Sequence, residues 1–239
     1  MKEMTRRDFF GAAAVSGLGL GLASVLTGCN ETKVKSFDMA NLYPVYQDGA
    51  YLEKDFSHLI GKAGLGLSAE NIENHLGLYS NYVKNVNKAE KEMAAGQVND
   101  FTMKHLAFSL NGMALHDIYF SNMTTETTSR STALENALAG TFGSFENYMK
   151  NLSELAMQVD GWSLTAFNLL NGKIFNYALK HHSDNFPNFV IPILALDVYE
   201  HAYVKQFTKE AKTEYIEVFK GIINWDLVSQ RFDAVKNLT

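Results

Sequence analysis

The spacing of apolar residues changes from helical to strand-like two thirds of the way along this chain, and this change constrains the fold most. Before it, apolar and aromatic residues recur at helical intervals. They predict long helices over 68–96 and 100–123 and shorter helices over 134–138 and 145–157. Because the two long helices are separated by only a short polar break, we expect them to form a helical hairpin.

After this point the apolar residues form short runs bounded by turn signals. They predict strands over 162–168, 173–179 and 189–196, the first two joined by a turn at Asn171-Gly172. Helices are expected again after the third strand, with a break around 223–226. The predicted class is α+β, with an N-terminal long helical hairpin followed by a small three-stranded antiparallel sheet and flanking helices.

Composition and charge exclude some classes of protein. The chain has 239 residues, of which 46% are hydrophobic and 20% charged, enough for one large domain or two small ones with a real core. The formal charge is −5 and no basic run occurs beyond the N-terminus, so nucleic acid is not expected as a partner. The single cysteine, Cys29, excludes an internal disulfide framework.

The first 29 residues have the pattern of a targeting segment. Two arginines at positions 6 and 7 precede an apolar stretch rich in small residues, which is typical of a twin-arginine export signal and is too weak for a membrane-spanning helix. Segment 26–29, Leu-Thr-Gly-Cys, resembles a bacterial lipobox. It predicts an acylated Cys29 that anchors an exported lipoprotein in the periplasm or outer cell envelope. The alternatives are a cleaved secretory signal with a chance cysteine and a plain N-terminal helix.

These patterns divide the chain into four parts. In chain order we predict a twin-arginine and lipoprotein signal, a tether and irregular lead-in, a helical-hairpin domain and an α/β C-terminal domain, over 1–29, 30–60, 61–125 and 126–239. Turn signals occur in the lead-in at Tyr43-Pro44 and Asp48-Gly49, and the sequence identifies no chemistry there. No internal repeat is visible.

The strongest chemical signal is a carboxylate and an imidazole one helical turn apart. The apolar run 190–196 leads directly into Asp197, and His201 follows four residues later. Side chains at this spacing can face one cation, and a mixed oxygen and nitrogen set suits iron or manganese. Taken alone, such a pair is more often a helix cap and a surface histidine.

The residues around this pair extend the signal. Segment 196–203 reads Leu-Asp-Val-Tyr-Glu-His-Ala-Tyr and closely resembles the D-V-W-E-H-A-Y signature of the iron/manganese superoxide dismutases, with Tyr199 in the tryptophan position. Segments 67–75 and 112–120 are similar to motifs on the two long helices of that family. Further matching segments are 134–145, 161–162 and 223–226. Several motifs in one order are more specific than any one of them.

The resemblance implies a cofactor and an activity. It implies one iron or manganese ion per chain and the disproportionation of superoxide to dioxygen and hydrogen peroxide. The implied metal ligands are the four residues at the family's ligand positions, His75, His116, Asp197 and His201. Without the resemblance, His116 would be interpreted as a satisfied core residue and His75 as a surface residue in a polar turn.

The resemblance also implies two residues close to the metal. Gly112 occupies the helix position from which some members supply the residue that tunes the reduction potential, so we expect this residue from the loop 180–184 instead. His182 is the favoured candidate and His181 the alternative, although two exposed histidines in a polar turn would give the same pattern. Tyr82 lies seven residues after the first ligand, on the same helix face, and is the expected gateway tyrosine.

Departures from the family pattern leave three functional alternatives. Tyr79 and Val204 replace a histidine and a tyrosine that in the family pair across the dimer interface and line the route to the metal. Glu200 is retained, which implies a homodimer with Glu200 at its interface. Lys212 stands near a family arginine, so a positive charge that attracts the anionic substrate is expected there.

The functional alternatives are an active dismutase, a metal-binding lipoprotein of the same fold with little or no activity, and a lipoprotein that keeps only the fold.

Overall fold

The lead-in contains more regular structure than the sequence predicts. In the computed structural model, which describes residues 39–238, it includes helix α1 (Met39–Leu42) and a hairpin of strands β1 (Tyr46–Gln47) and β2 (Ala50–Tyr51). The turn between the strands has positive φ at Asp48 and Gly49, 52° and 83°. Two-residue hairpin turns require this conformation, so the predicted turn at these residues is confirmed.

Two sets of hydrogen bonds fasten the lead-in to the folded body. The side chain of Asn87 accepts the N–H of Tyr51 at 2.7 Å and donates to its carbonyl at 2.9 Å. Lys54 Nζ donates to Asp117 Oδ1 at 3.0 Å, and the carboxylate of Asp117 is fully buried. The described lead-in is therefore held along its length. The predictions for the signal and for Cys29 lie outside the described residues.

The two long helices follow as predicted. Helix α2 spans Ala69–Ala94 and begins at Ser68, whose side chain caps the first turn. Helix α3 spans Asp100–Ser121 and begins at a capping box formed by Asn99 and Thr102. A short connection joins them, so they pack against each other as an antiparallel hairpin.

A pair of helices and a sheet form the next layer. The elements are helices α4 (Thr132–Phe142) and α5 (Phe145–Gln158) and strands β3 (Trp162–Asn168), β4 (Lys173–Leu179) and β5 (Val190–Asp197). The sheet is antiparallel in the order β4-β3-β5, and the bounds predicted for β3 and β4 are confirmed. Strand β5 begins one residue later than predicted because Phe189 has φ of 58°, which does not fit a strand. The strand extends through Asp197.

Three α-helices follow the sheet in the described chain, and the predicted α+β class is confirmed. They are α6 (Glu200–Tyr203), α7 (Lys212–Gly221) and α8 (Trp225–Val235). The core contains a stacked pair from α3 and α7, Tyr119 and Phe219, whose ring centres are 5.5 Å apart. Among the described residues, no helix combines the length and apolarity needed to cross a membrane. The domain boundaries near residues 60 and 125 stay predictions.

Candidate metal centre

Four side chains that are distant in the sequence meet in the interior. His75 lies on α2, His116 on α3, Asp197 at the end of β5 and His201 in α6. Asp197 Oδ2 is 3.1 Å from His75 Nε2, 3.5 Å from His116 Nε2 and 3.2 Å from His201 Nε2. One ligand atom from each residue lies within 4.8 Å of all the others. The four residues predicted as ligands are thus brought together.

The distances from Asp197 Oδ2 to the three imidazole nitrogens fit one shared ion. With metal–nitrogen bonds of about 2.1 Å, two ligands of the same ion lie about 3.0 to 3.6 Å apart. The side chains of His75, His116 and Asp197 are fully buried, and that of His201 is 27% exposed. A set of three imidazoles and one carboxylate suits iron or manganese.

The hydrogen bonds of His116 give an independent test of the fit. Its Nδ1 donates to the carbonyl of Gly112 at 2.6 Å, so in the neutral ring Nε2 carries a lone pair. This Nε2 is buried and has no hydrogen-bond partner among residues 39–238. It faces Asp197 Oδ2, so two acceptors point at each other. A cation between them removes this conflict, and the residues present therefore fit a bound metal.

Burial and mutual charge set the protonation of the cluster. Burial lowers the pKa of His75 and lowers that of His116 further, with the charge of His75 adding to the effect at His116. Burial would raise the pKa of Asp197, but the charge of His201 and the hydrogen bonds from both neighbouring histidines outweigh it and lower that pKa. Burial would lower the pKa of His201, but the charge of Asp197 and its hydrogen bond outweigh this and raise that pKa. Neutral His75 and His116 beside an ionised carboxylate are forms that bind a metal ion.

Hydrogen bonds to the main chain orient the ligand segments. The hydroxyl of Tyr215 donates to the carbonyl of Asp197 at 2.6 Å, and Asp197 Oδ1 accepts the N–H of Tyr199 at 2.9 Å. Asn71, one turn before the first ligand on α2, donates to the carbonyl of Ala202 at 2.6 Å. This last bond ties α2 directly to the short helix that carries His201.

A second group of side chains lies beside the ligands. The indole N–H of Trp162 donates to His182 Nδ1 at 2.9 Å, and His182 Nε2 is 3.0 Å from the hydroxyl of Tyr82. An indole nitrogen can only donate, so Nδ1 accepts and the proton of neutral His182 is on Nε2, which donates to Tyr82. We call Trp162, His182 and Tyr82 the outer hydrogen-bond chain. Because His182 donates to the oxygen of Tyr82, the hydroxyl proton of Tyr82 can be donated to another acceptor.

The two histidines that are candidates for tuning the reduction potential, His182 and His181, differ in burial. His182 is 1% exposed, whereas His181 is exposed and belongs to no part of the outer hydrogen-bond chain as described. Burial lowers the pKa of His182 to about 4, so it is neutral near pH 7. Its position favours His182 over His181, and its functional role stays a prediction.

Tyr82 packs closely over the second long helix, as its position on the ligand face predicts. Its ring centre is 5.1 Å from that of His116 and 4.9 Å from that of His182. A Cβ added at Gly112 would lie 2.9 Å from the Tyr82 ring, so a side chain there would displace the tyrosine. Burial, followed by the charge of Asp197, raises the pKa of Tyr82 to about 12.

Three other predicted residues lie in different surroundings. Tyr79 is 1% exposed and its hydroxyl accepts the N–H of Lys54 at 3.1 Å, so it packs in the core against the lead-in. Its helix position points toward the lead-in, and the effect of this change from the family pattern on the route to the metal stays a prediction. Val204 is 41% exposed, and Glu200 is exposed and pairs with Lys209 at 2.8 Å.

The positive charge that was expected to attract superoxide, on Lys212, also lies in surroundings different from those expected. Lys212 Nζ is largely buried, donates to the carbonyl of Val159 and lies 3.3 Å from Asp160 Oδ1. Its charge is therefore already paired. No role for Trp162 or Asn111 follows from the sequence alone. Trp162 lies in segment 161–162, which resembles a motif of the family. That resemblance was the sequence signal that could have identified it.

The fold and the cluster define a protein that can hold one metal ion between a helical hairpin and an antiparallel sheet. The family model for the C-terminal domain of iron/manganese superoxide dismutases matches residues 130–231. A manganese superoxide dismutase of Mycolicibacterium smegmatis is 31% identical over 170 residues, which cover 67% of this chain and 82% of that protein. One of Mycobacterium lepraemurium is 29% identical over 174 residues, covering 69% and 84%. The chain belongs to the iron/manganese superoxide dismutase family.

Proposed function

We propose that this protein is a superoxide dismutase that converts two superoxide ions and two protons to dioxygen and hydrogen peroxide. The observation that carries the proposal is the placing of one buried carboxylate oxygen 3.1–3.5 Å from three imidazole nitrogens. His75, His116, Asp197 and His201 would hold one iron or manganese ion. That ion supplies one-electron oxidation and reduction when bound, which none of these side chains provides.

The outer hydrogen-bond chain would handle the protons. Because His182 donates to the oxygen of Tyr82, the hydroxyl proton of Tyr82 can be directed toward the cluster. The raised pKa of Tyr82 keeps that proton in place near neutral pH. Tyr82 is only partly buried, so it can exchange protons with solvent after each transfer. Trp162 would fix the tautomer of His182, and with it the direction of the chain.

Metal content and superoxide turnover, measured together on the full chain, test this function. We expect about one iron or manganese ion per chain and turnover that depends on it. His116→Ala should lose both metal and activity, and His58→Ala, which removes an exposed histidine outside the cluster, is the matched control. Metal without turnover would support the alternative, a metal-binding lipoprotein of the same fold. Absence of metal from a folded wild-type protein would remove both.

The proposed location is the periplasm or outer cell envelope, with the protein anchored by an acylated Cys29. The support is the twin-arginine pattern followed by the lipobox at 26–29. Incorporation of a labelled fatty acid into wild-type protein, compared with Cys29→Ser, tests the anchor. A wild-type protein that carries no label would contradict it.

The proposed assembly is a homodimer with Glu200 at the interface. Glu200 and Val204 are exposed in the single chain, next to the ligand His201, whose side chain is also partly exposed. A second copy placed there would cover the one ligand that solvent reaches. Sedimentation of the wild-type protein and of Glu200→Ala tests this, and a wild type that is monomeric at micromolar concentration would contradict it.

A further inference from the structure

The main-chain carbonyl of the candidate ligand Asp197 needs a donor from outside the sheet. Strand β5 lies at an edge of the sheet, whose order is β4-β3-β5. The N–H of Val198 donates toward β3, to the carbonyl of Gly161 at 2.8 Å. Successive residues of an antiparallel strand direct their main-chain groups to opposite sides, so Asp197 directs its carbonyl away from β3. Asp197 is fully buried, and an unpaired carbonyl there would be costly.

Two buried tyrosine hydroxyls supply this donor as a directed chain. Tyr215 of α7 donates to the carbonyl of Asp197 at 2.6 Å, and its hydroxyl oxygen is 3.0 Å from that of Tyr119 on α3. Burial raises the pKa of both tyrosines, so each keeps its one proton near neutral pH. Because the proton of Tyr215 is directed to the carbonyl, Tyr119 is the donor in the bond between the two hydroxyls.

We propose that Tyr119 is a positioning residue that holds the main chain of Asp197 in place through Tyr215. This inference rests on the proposed function, because it concerns the same site. Tyr119 lies three residues after His116 on α3, and its ring centre is 4.9 Å from that of His75. Tyr119 therefore links the elements that carry three of the four candidate ligands.

Aromatic packing holds the two rings independently of their hydroxyls. Tyr119 stacks on Phe219, with an angle of 4° between the rings and centres 5.5 Å apart. Tyr215 stacks on Tyr203, with an angle of 19° and centres 5.2 Å apart. Phenylalanine in place of Tyr119 or Tyr215 would keep these contacts and remove only the hydroxyl. Each substitution therefore tests a hydrogen bond and leaves the aromatic core filled.

Binding of manganese(II) to the full chain tests the proposal without turnover. Tyr215→Phe removes the donor to Asp197, and we expect the affinity for manganese(II) to fall by about 10- to 100-fold. Tyr119→Phe removes the bond that orients that donor, and we expect a fall of about three- to tenfold. The electron paramagnetic resonance spectrum of the bound manganese(II) reports the arrangement of its ligands and should change in both variants.

Tyr148→Phe is the matched control. Tyr148 is 0% exposed, and its hydroxyl is 2.8 Å from Thr165 Oγ1. It lies on α5, which carries none of the four candidate ligands. This variant also loses one buried tyrosine hydroxyl, so a general loss of stability would affect it as well. We expect wild-type affinity and spectrum, and changes as large as those of Tyr119→Phe would overturn the proposal.

The double variant Tyr119→Phe/Tyr215→Phe tests whether Tyr119 acts through Tyr215. Once Tyr215 has lost its hydroxyl, removing that of Tyr119 should change the affinity by less than about twofold. An equal effect of Tyr119→Phe with and without the hydroxyl of Tyr215 would overturn the proposal. If Tyr215→Phe does not fold, wild-type affinity and spectrum in Tyr119→Phe overturn it.

The two proposals can fail separately. Wild-type protein that binds manganese but does not turn over superoxide would refute the proposed function. In that case the affinities and spectra of the tyrosine variants still decide whether Tyr119 positions Asp197.

Discussion

Trp162 and Asp197 lie directly opposite each other in the ladder between β3 and β5. Their side chains serve different parts of the site. Asp197 presents Oδ2 to three imidazoles, whereas Trp162 donates its indole N–H to His182. One strand pair therefore positions both a candidate ligand and the start of the outer hydrogen-bond chain. A change of register here would move the two together.

Replacing Trp162 by phenylalanine should lower turnover by about tenfold and leave metal content unchanged. Without the indole donor, His182 can place its proton on either ring nitrogen, and Tyr82 would then donate to His182 for part of the time. The measurements are superoxide turnover and the tautomer of His182 by nitrogen NMR. The control is Trp225→Phe, which changes a tryptophan outside the outer hydrogen-bond chain. A single unchanged tautomer in Trp162→Phe would contradict the assignment.

The stability of the metal-free protein should depend on pH through His182. Its pKa in the folded state is about 4, below the ordinary value of 6.5, so between these values the unfolded chain binds the proton and the folded chain does not. This contribution is fully present above about pH 6.5 and is lost as the pH falls toward about 4. It amounts to at most about 3 kcal/mol.

Urea unfolding at about pH 7 and about pH 4.5 measures this dependence. The free energy of unfolding of the wild type should fall further between the two pH values than that of His182→Gln, which has no group that titrates there. His181→Ala, an exposed neighbour, should behave as the wild type does. An equal fall in the wild type and in His182→Gln would show that His182 is not held neutral by burial.

Gly112→Ala should displace Tyr82 because the new Cβ would lie 2.9 Å from its ring. We expect a loss of about 1 to 3 kcal/mol in stability together with reduced turnover. Gly140→Ala is the matched control, since no described atom lies within 4 Å of a Cβ at that helical glycine. The control should be neutral or more stable by up to about 1 kcal/mol. Similar results for the two variants would show that the contact with Tyr82 can relax without cost.

Lys54→Met should destabilise the protein by about 3 to 5 kcal/mol, because it leaves the fully buried carboxylate of Asp117 without its partner. The burial that raises the pKa of Asp117 is opposed first by the charge of Lys54. Adding Asp117→Asn to the Lys54→Met variant should restore much of the loss. A chemical-denaturation double-mutant cycle checks this, and additive effects of the two changes would contradict a direct coupling.

Local patterns predicted the helices and strands well, because each depends on residues close in the sequence. Strands β3 and β4 had clear boundaries, and the single-residue error in β5 came from the backbone conformation of Phe189. The ligand set could be assigned only through resemblance to a family. Asp197 and His201 are neighbours in sequence, but nothing in the pattern alone brings His75 to them across the fold.

The remaining contacts could not be predicted, because they join segments that are far apart. Tyr79 shares a helix with the candidate ligand His75, yet its surroundings depend on the lead-in that covers it. The contacts of Tyr199 and Asn111 with His182 depend on how a loop folds back against two other elements. Such contacts follow from packing, which hydrophobic spacing does not specify.

The ion pair between Lys54 and Asp117 also limits how far the N-terminus can be shortened. Trimming by a protease in the segment before residue 39 would leave every described contact in place and would release the body from any upstream attachment. A cut beyond Lys54 would remove the countercharge from a carboxylate next to His116 and would destabilise the interior. A cut that preserves this ion pair must therefore fall ahead of Lys54.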